Sequence, residues 1–294
     1  MNLLILGANG QLGQDFIRYC VINNIRFLAS DIQNTFRNDN INQYKKCDIS
    51  EFSSILSLVK QDKFTHIINC SAYNLVDRAE SEWQKAYLIN GLGPKFVSLA
   101  ANEIGATVIH FSSDYVFDGS GVNPYTILNI PAPINKYGES KLLGEINVRD
   151  IATRYFLIRT SWVFGVGNNN FVKKVILWSQ TKDELFLTID ETSSPTYTVD
   201  LVLAMMKLIK KETYGLYHIT NSSCSRFEWG KFILERIGWK GKLIKVVRSD
   251  FNLPATRPKF SVLDNFGLYE TINWKMPSWQ VATKRFLIEL KNKE

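Results

Sequence analysis

The 294-residue sequence predicts an α/β fold, a doubly wound parallel sheet carrying a smaller α/β lobe. Three observations predict it. Short apolar runs alternate with longer amphipathic stretches through the first half of the chain. A glycine-rich turn follows the first apolar run directly. The alternation then loosens, and aromatic and basic residues become frequent after Asn221.

Taken in order, strands are predicted at Asn2–Leu6, Arg26–Ala29, Thr65–Cys70, Thr107–Ser112 and Tyr155–Arg159. Helices are predicted between them at Gln11–Asn24, Glu51–Gln61, Ser81–Glu103 and Lys136–Arg149. Strands spaced by helices in this way imply parallel pairing with helices on both faces, and right-handed crossovers restrict the topology to a doubly wound sheet. In the second half the pattern predicts a helix over Asn168–Gln180 and a strand over Glu184–Thr188. Val199–Lys211 carries Leu201, Val202, Met205, Leu208 and Ile209 at helical spacing. A strand at Leu216–Thr220 and helices at Phe227–Ile237 and Gln280–Lys291 complete the set. The resulting division is 1–165 for the sheet domain, with a return over about 194–221, and 166–193 plus 222–294 for the smaller lobe. The polar stretch Asn34–Gln43 reads as a surface loop.

Composition narrows the function classes. Hydrophobic residues make up 45% and charged residues 21%, a globular balance. The net charge of +7 is spread along the chain with no dense Lys/Arg block, so nucleic acid is not an expected partner. No apolar run reaches the length of a membrane span, and the N-terminal run lacks the form of a secretory signal. A cytoplasmic protein is the expectation. Cys20, Cys47, Cys70 and Cys224 lie among apolar neighbours and form no C-x-x-C pair, as buried thiols in a reducing compartment do. His66, His110 and His218 each sit inside a strand-like run, so packed histidines are expected and no metal site.

The glycine turn reads G-A-N-G-Q-L-G, with Gly7, Gly10 and Gly13. Gly7 allows a sharp turn, Gly10 a close approach of backbone to a pyrophosphate, and Gly13 tight packing of helix on strand. Amide N–H groups at the helix start then face an anion, as in a Rossmann-type dinucleotide site. Asp31 closes the second strand, where a carboxylate binds adenosine ribose hydroxyls. It disfavours a 2′-phosphate, but Arg37 lies near enough in sequence to offset that. The choice between NADH and NADPH therefore stays open. Asp48 and Ile49, after the next short strand, are candidates for the adenine edge.

Tyr137 and Lys141 stand four apart in Y-G-E-S-K, on one face of the predicted helix. Hydride reduction of a ketone leaves an alkoxide that needs a proton, and a tyrosine hydroxyl can give it. An ammonium nearby favours the phenolate. Lowering its pKa by about 3 units needs roughly 4 kcal/mol. The expectation is a tyrosine tuned toward working pH. Ser113, at the end of the fourth long strand, is a candidate donor to the substrate carbonyl, where open α/β sheets bind ligands.

With these motifs in place, the chain resembles the dTDP-4-dehydrorhamnose reductases of the extended short-chain dehydrogenase/reductase group. The matching segments are GANGQLGQ (Gly7–Gln14), NCSAYNLVDRAE (Asn69–Glu80), SSDYVFDG (Ser112–Gly119), YGESKLLGE (Tyr137–Glu145), RTSWVFG (Arg159–Gly165), NFV (Asn170–Val172), SSPT (Ser193–Thr196) and ATRPKFS (Ala255–Ser261). The resemblance implies NADPH, with NADH as the alternative, and a nucleotide-sugar substrate reduced at C4. It implies that Gly10, Gln11 and Leu12 line the pyrophosphate, Asp31 the ribose, and Ser71, Ala72 and Tyr73 the cofactor edge. Tyr137 would be the proton donor and Lys141 its partner at the nicotinamide ribose. Ser113 and Asp114 would meet the sugar, Trp162 would lie along it, and Arg257 would hold the diphosphate. A homodimer through the helices at Ser81–Glu103 and around Tyr137 is implied in the same way. Three departures stand out: S-S-D replaces the family's S-T-D, Ser193 replaces a glycine, and Cys70-Ser71-Ala72-Tyr73 replaces A-A-A-Y. The alternatives are a sister reductase for another nucleotide-linked 4-keto sugar, and a non-catalytic regulatory subunit of a methionine adenosyltransferase, which shares SSDYVFDG.

Overall fold

A computed structural model describes residues 1–36, 43–167 and 169–292. Seven parallel strands form its main sheet: β1 (Asn2–Leu6), β2 (Arg26–Asp31), β3 (Tyr44–Lys46), β4 (His66–Asn69), β5 (Thr107–Ser113), β6 (Tyr155–Thr160) and β7 (Gly215–His218). Their order is β7-β6-β5-β4-β1-β2-β3, so the chain reverses direction across the sheet between β1 and β4. Every residue of β1 and of β5 is buried, as strands in a parallel sheet covered on both faces are.

Helices cover both faces. On one, α1 (Gln11–Ile22) packs with the later helix over Thr198–Lys211 around Phe16, Leu201 and Met205. On the other, α2 (Phe52–Val59) joins two helices over Gly93–Glu103 and Lys136–Ile151 around Ile55, Val97 and Val148.

The single helix expected over Ser81–Glu103 is corrected. A short α3 (Trp83–Tyr87) runs into a π-helical turn over Leu88–Leu92, and α4 (Gly93–Glu103) follows. Pro94 is the physical cause. It has no N–H, and its ring clashes with the carbonyl four residues back, so the widened turn absorbs the misfit. That turn aims Asn90 inward. Its amide donates to the Tyr73 carbonyl (3.0 Å) and the Ser140 hydroxyl (3.0 Å), and its oxygen accepts from the Tyr73 N–H (2.8 Å).

Beyond α5 (Lys136–Ile151) and β6, a third apolar cluster gathers around Phe164, Val175, Trp229, Ile233 and Phe286. It joins α6 (Phe171–Thr181), α8 (Arg226–Arg236) and α10 (Trp279–Lys291) to a parallel pair of strands, Glu184–Thr188 and Lys242–Val246. Between them in the chain come α7 (Thr198–Lys211) and α9 (Leu268–Ile272). The loop expected over Asn34–Gln43 lies largely outside the described residues, as do Arg37 and Asn168. No described helix is long and apolar enough to cross a membrane.

Candidate active site

The strand ends at the reversal point open into two joined cavities. One, of about 250 Å³, is lined by Gly7, Gly10, Asp31, Asp48, Ile49 and Ala72 among others. The second, of about 360 Å³, holds Gln11, Ser113, Tyr137, Lys141 and Trp162. Gly10, Cys70, Ser71, Ala72 and Asn74 wall both, so the two form one cleft along the carboxyl edge of the sheet.

The glycine turn is built as its sequence demands. Gly7 has φ of +74°, and a Cβ there would lie 2.6 Å from the Ser71 amide nitrogen. A Cβ on Gly13 would lie 2.4 Å from the Gly7 carbonyl oxygen, so Gly13 sets the approach of α1 to β1 and does not line the cleft. The first turn of α1 carries no acidic side chain, which leaves its N-terminus open to an anion. Asp31 helps hold the turn, because its Oδ2 accepts the Asn9 amide (2.9 Å). Asp48 takes the Ser50 N–H (2.9 Å) and hydroxyl (2.7 Å) on one oxygen.

Helix α5 presents Tyr137 and Lys141. Asn135 caps it, accepting the Gly138 N–H at 2.7 Å while its own amide donates to the Thr256 carbonyl at 2.7 Å. The helix buries a polar stripe, Ser140, Lys141 and Glu145, where an ordinary helix buries an apolar one. Lys141 is 3% exposed, and its Nζ donates to the Phe111 carbonyl at 2.6 Å. One turn on, Glu145 accepts both arms of Arg159 (2.9 and 2.7 Å) and the Ser112 hydroxyl. This buried pair lies directly behind the lysine.

Protonation follows burial. The Lys141 ammonium is pulled down to about 8 by desolvation, with Glu145 opposing. Desolvation pushes the Tyr137 hydroxyl up to about 12; the Ser113 hydroxyl lowers it and Asp114 adds to the rise. The expected tuning of Tyr137 toward neutral pH is not present in the chain without its cofactor. In the chain alone the lysine is committed to a backbone carbonyl, and loss of hydration dominates the phenol.

Other predicted residues divide. Ser71, Ala72 and Ser113 line the cleft. Tyr73 does not: it is buried, its hydroxyl donates to Glu82 (2.9 Å), and its ring packs with Ala79 and Ala86. Asn74 lines the cavities instead. Asp114 is also withdrawn from the cleft wall. At 2% exposure it accepts the hydroxyls of Ser113 (3.0 Å), Ser193 (3.0 Å) and Ser261 (2.5 Å). Burial raises it to about 6, and those hydroxyls pull the other way. Thus the departure Ser193 gives Asp114 a donor that a glycine has no atom to supply.

Arg257 lines a separate cavity of about 420 Å³ with Lys174, Glu191, Arg226 and Arg248, and grips Asp77 with both arms (2.8 and 2.7 Å). Trp162 joins this region to the cleft: it walls the Tyr137 cavity, and the Arg226 guanidinium lies 3.5 Å above its ring. Sequence reasoning missed Asn90, Glu145, Arg226 and Arg248. Glu145 carried a readable signal, since Tyr137, Lys141 and Glu145 repeat every four residues.

A doubly wound parallel sheet with a tyrosine and a lysine one helical turn apart in its switch-point cleft defines the short-chain dehydrogenase/reductase class. Known proteins narrow this. The family model described as the RmlD substrate binding domain matches residues 1–292. The Bacillus subtilis spore coat polysaccharide biosynthesis protein SpsK is 34% identical over 98% of this chain and 97% of its own. The Escherichia coli K12 dTDP-4-dehydrorhamnose reductase is 32% identical over 99% and 98%. The solved dTDP-4-dehydrorhamnose reductase of Bacillus anthracis, in complex with NADP, superposes with a TM-score of 0.91 at 36% identity, covering 98% of this chain and 100% of that one. The chain belongs to the dTDP-4-dehydrorhamnose reductase family.

Proposed function

We propose that this protein uses NAD(P)H to reduce the C4 keto group of dTDP-4-dehydro-β-L-rhamnose to dTDP-L-rhamnose. One observation carries the reading: Tyr137, Lys141, Ser113 and Trp162 share a cavity that is continuous with the glycine-turn cavity. The cleft suits a dinucleotide, with a crowded glycine turn, a helix N-terminus free of acid and a carboxylate at the β2 end. Gly7, Gly10, Gln11 and Leu12 would form the pyrophosphate cradle, and Gly13 would support it by letting α1 pack close to β1. Asp31 would take the ribose, Asp48 and Ile49 the adenine edge, and Ser71 and Ala72 the inner wall. The NADP held by the Bacillus anthracis relative favours NADPH, with NADH as the alternative.

Bound NAD(P)H supplies the hydride. The chain's own residues then manage charge and proton. As C4 is reduced, its oxygen becomes an alkoxide, and the Tyr137 hydroxyl donates its proton to that atom. With its pKa pushed up to about 12, Tyr137 is fully protonated at neutral pH, the state an acid needs. Lys141, near 8, is still largely an ammonium there and stabilises the phenolate left behind. Ser113, whose single hydroxyl proton rests on Asp114 in the chain alone, would turn it to the developing negative charge, Trp162 would lie along the sugar, and Arg257 would lie at the diphosphate. On this reading 1–165 with 194–221 serves the cofactor, and the remaining segments serve the nucleotide sugar. The described cysteines form no disulfide, which suits a reducing cytoplasm. A homodimer would follow from the family likeness.

The test is NADPH oxidation against a panel of dTDP-, UDP-, GDP- and CDP-linked 4-keto sugars. Preferred turnover of dTDP-4-dehydrorhamnose is expected. Preference for another nucleotide or sugar would transfer the protein to a sister reaction, and silence on the whole panel would sink the reading.

A further inference from the structure

We infer that Arg226 is a positioning residue that couples occupation of the basic cavity to the placement of Trp162 over the sugar. The inference rests on the nucleotide-sugar reading above and deepens it.

The guanidinium of Arg226 lies among rings. Its centre is 3.5 Å from the Trp162 ring, 4.6 Å from Phe171 and 5.7 Å from Trp229. Trp162 and Trp229 are themselves within 7° of parallel, at 5.9 Å. Its side chain is 19% exposed, and the nearest carboxylate, Glu191, stands 3.9 Å from Nε, beyond hydrogen-bond reach. No described group accepts a hydrogen bond from this guanidinium. Its five N–H donors are therefore left to the solvent that reaches this cavity, and stay available to the oxygens of a ligand.

Its neighbour carries a buried deficit. Arg248 reaches Glu191 only at 3.4 Å, and its Nη2 is buried without a partner. Arg257 is satisfied by Asp77. Four cations, Lys174, Arg226, Arg248 and Arg257, thus face two carboxylates, Glu191 and Asp77, which leaves a surplus of two positive charges. A diphosphate linking nucleoside and sugar carries two negative ones and many acceptor oxygens. Arg226 and Arg248 are the donors left over to bind it.

Trp162 makes the arrangement more than an anion site. Its backbone sits at φ of +41°, which side-chain-bearing residues rarely adopt, so its orientation is held by packing and not by local preference. Its packing partners include Trp229 and, closest, Arg226, while the indole also walls the cavity of Tyr137 and Ser113. Oxygens that engage the Arg226 donors fix the plane of the guanidinium, and with it the indole. Binding energy from the diphosphate is in this way spent on orienting the sugar at the reacting carbon.

Three variants and two measurements test this. Arg226 opens α8, whose start is held by the Ser225–Glu228 capping box, so the helix does not depend on its side chain. Arg226→Lys keeps the charge and loses the planar stack. With NADPH and dTDP-4-dehydrorhamnose it is expected to change KM less than about threefold while kcat falls roughly tenfold or more, since a misplacement of about 1 Å costs on the order of 100-fold. Arg226→Met is expected to lose in both constants. In a second measurement, dTDP alone is titrated against tryptophan emission. A change is expected in the native protein and should vanish in Trp162→Phe and in Arg226→Met. An Arg226→Lys enzyme with native kcat, or an emission change that survives Trp162→Phe, overturns the coupling while leaving the reductase reading intact. A native protein that binds no dTDP and turns over no nucleotide-linked keto sugar removes the reading itself, and the inference with it.

Discussion

The two ends of the ligand-binding region are made of different material. The glycine-turn cavity is walled by the close-packed glycine turn and by short loops at the ends of β1, β2, β3 and β4. The basic cavity is walled by long side chains drawn from distant segments, Lys174 on α6, Glu191, Arg226 on α8, then Arg248 and Arg257. A backbone-built site needs residues that lack side chains, and glycines at fixed spacing make it visible in the sequence. A side-chain-built site needs only arginines and aromatics that meet in space, and no spacing betrays it. The Tyr137 cavity lies between them and shares both characters: a helix sets its register, and burial sets its chemistry.

Breaking the middle should do most damage. Tyr137→Phe removes the proposed proton donor and should lower kcat by about 100- to 10,000-fold with NADPH binding kept, as stopped-flow NADPH oxidation beside a binding titration will show. Full activity in that variant would deprive Tyr137 of its role. Glu145→Ala strands Arg159 as a buried unpaired cation, and removing one partner of such a pair costs about 3–5 kcal/mol. A thermal midpoint close to the native one would show that the pair is not essential to the site's foundation.

Gly13→Ala tests the backbone-built end. The added Cβ meets the Gly7 carbonyl, and overpacking of this kind costs about 1–3 kcal/mol. NADPH affinity should fall together with stability. Affinity for dTDP should not, and a parallel loss of both would erase the contrast between the two ends.

The smallest effect is the one on pH. Lys141 in the folded chain sits at about 8, below its ordinary 10.5. Reduction should slow as pH rises through about 8 and the ammonium discharges. Stability moves the other way. The folded pKa is depressed, so the unfolded chain binds the extra proton between about 8 and 10.5, and this group's contribution to stability grows as pH rises across that window and is lost as pH falls through 8. A rate profile flat to pH 10 would mean that the lysine charge does not serve the reaction.

Much of this was legible beforehand. Asn2–Leu6 and Glu184–Thr188 stand where the apolar pattern puts them, and α1, α5 and α7 begin within a residue of expectation. Periodicity reports burial, and burial on a regular element is what these segments have. The π-helical turn at Leu88–Leu92 was not legible, because helical periodicity does not show how Pro94 will be accommodated. Tyr73 follows the Cys70-Ser71-Ala72 run, yet its side chain turns to Glu82 because Asn90, delivered by that π turn, holds its backbone. Asp114 is adjacent to Ser113, yet two serines remote in sequence draw it away from the cleft wall.

The sequence by itself determined the parallel sheet, the glycine turn and the one-turn spacing of Tyr137 and Lys141, because all three depend on local periodicity and backbone sterics. Tertiary structure alone decided the protonation of that pair, the enclosure of Asp114 and the meeting of Arg226 with Trp162. Those depend on distance from water and on which distant groups come to lie alongside, and neither is written in the order of neighbouring residues.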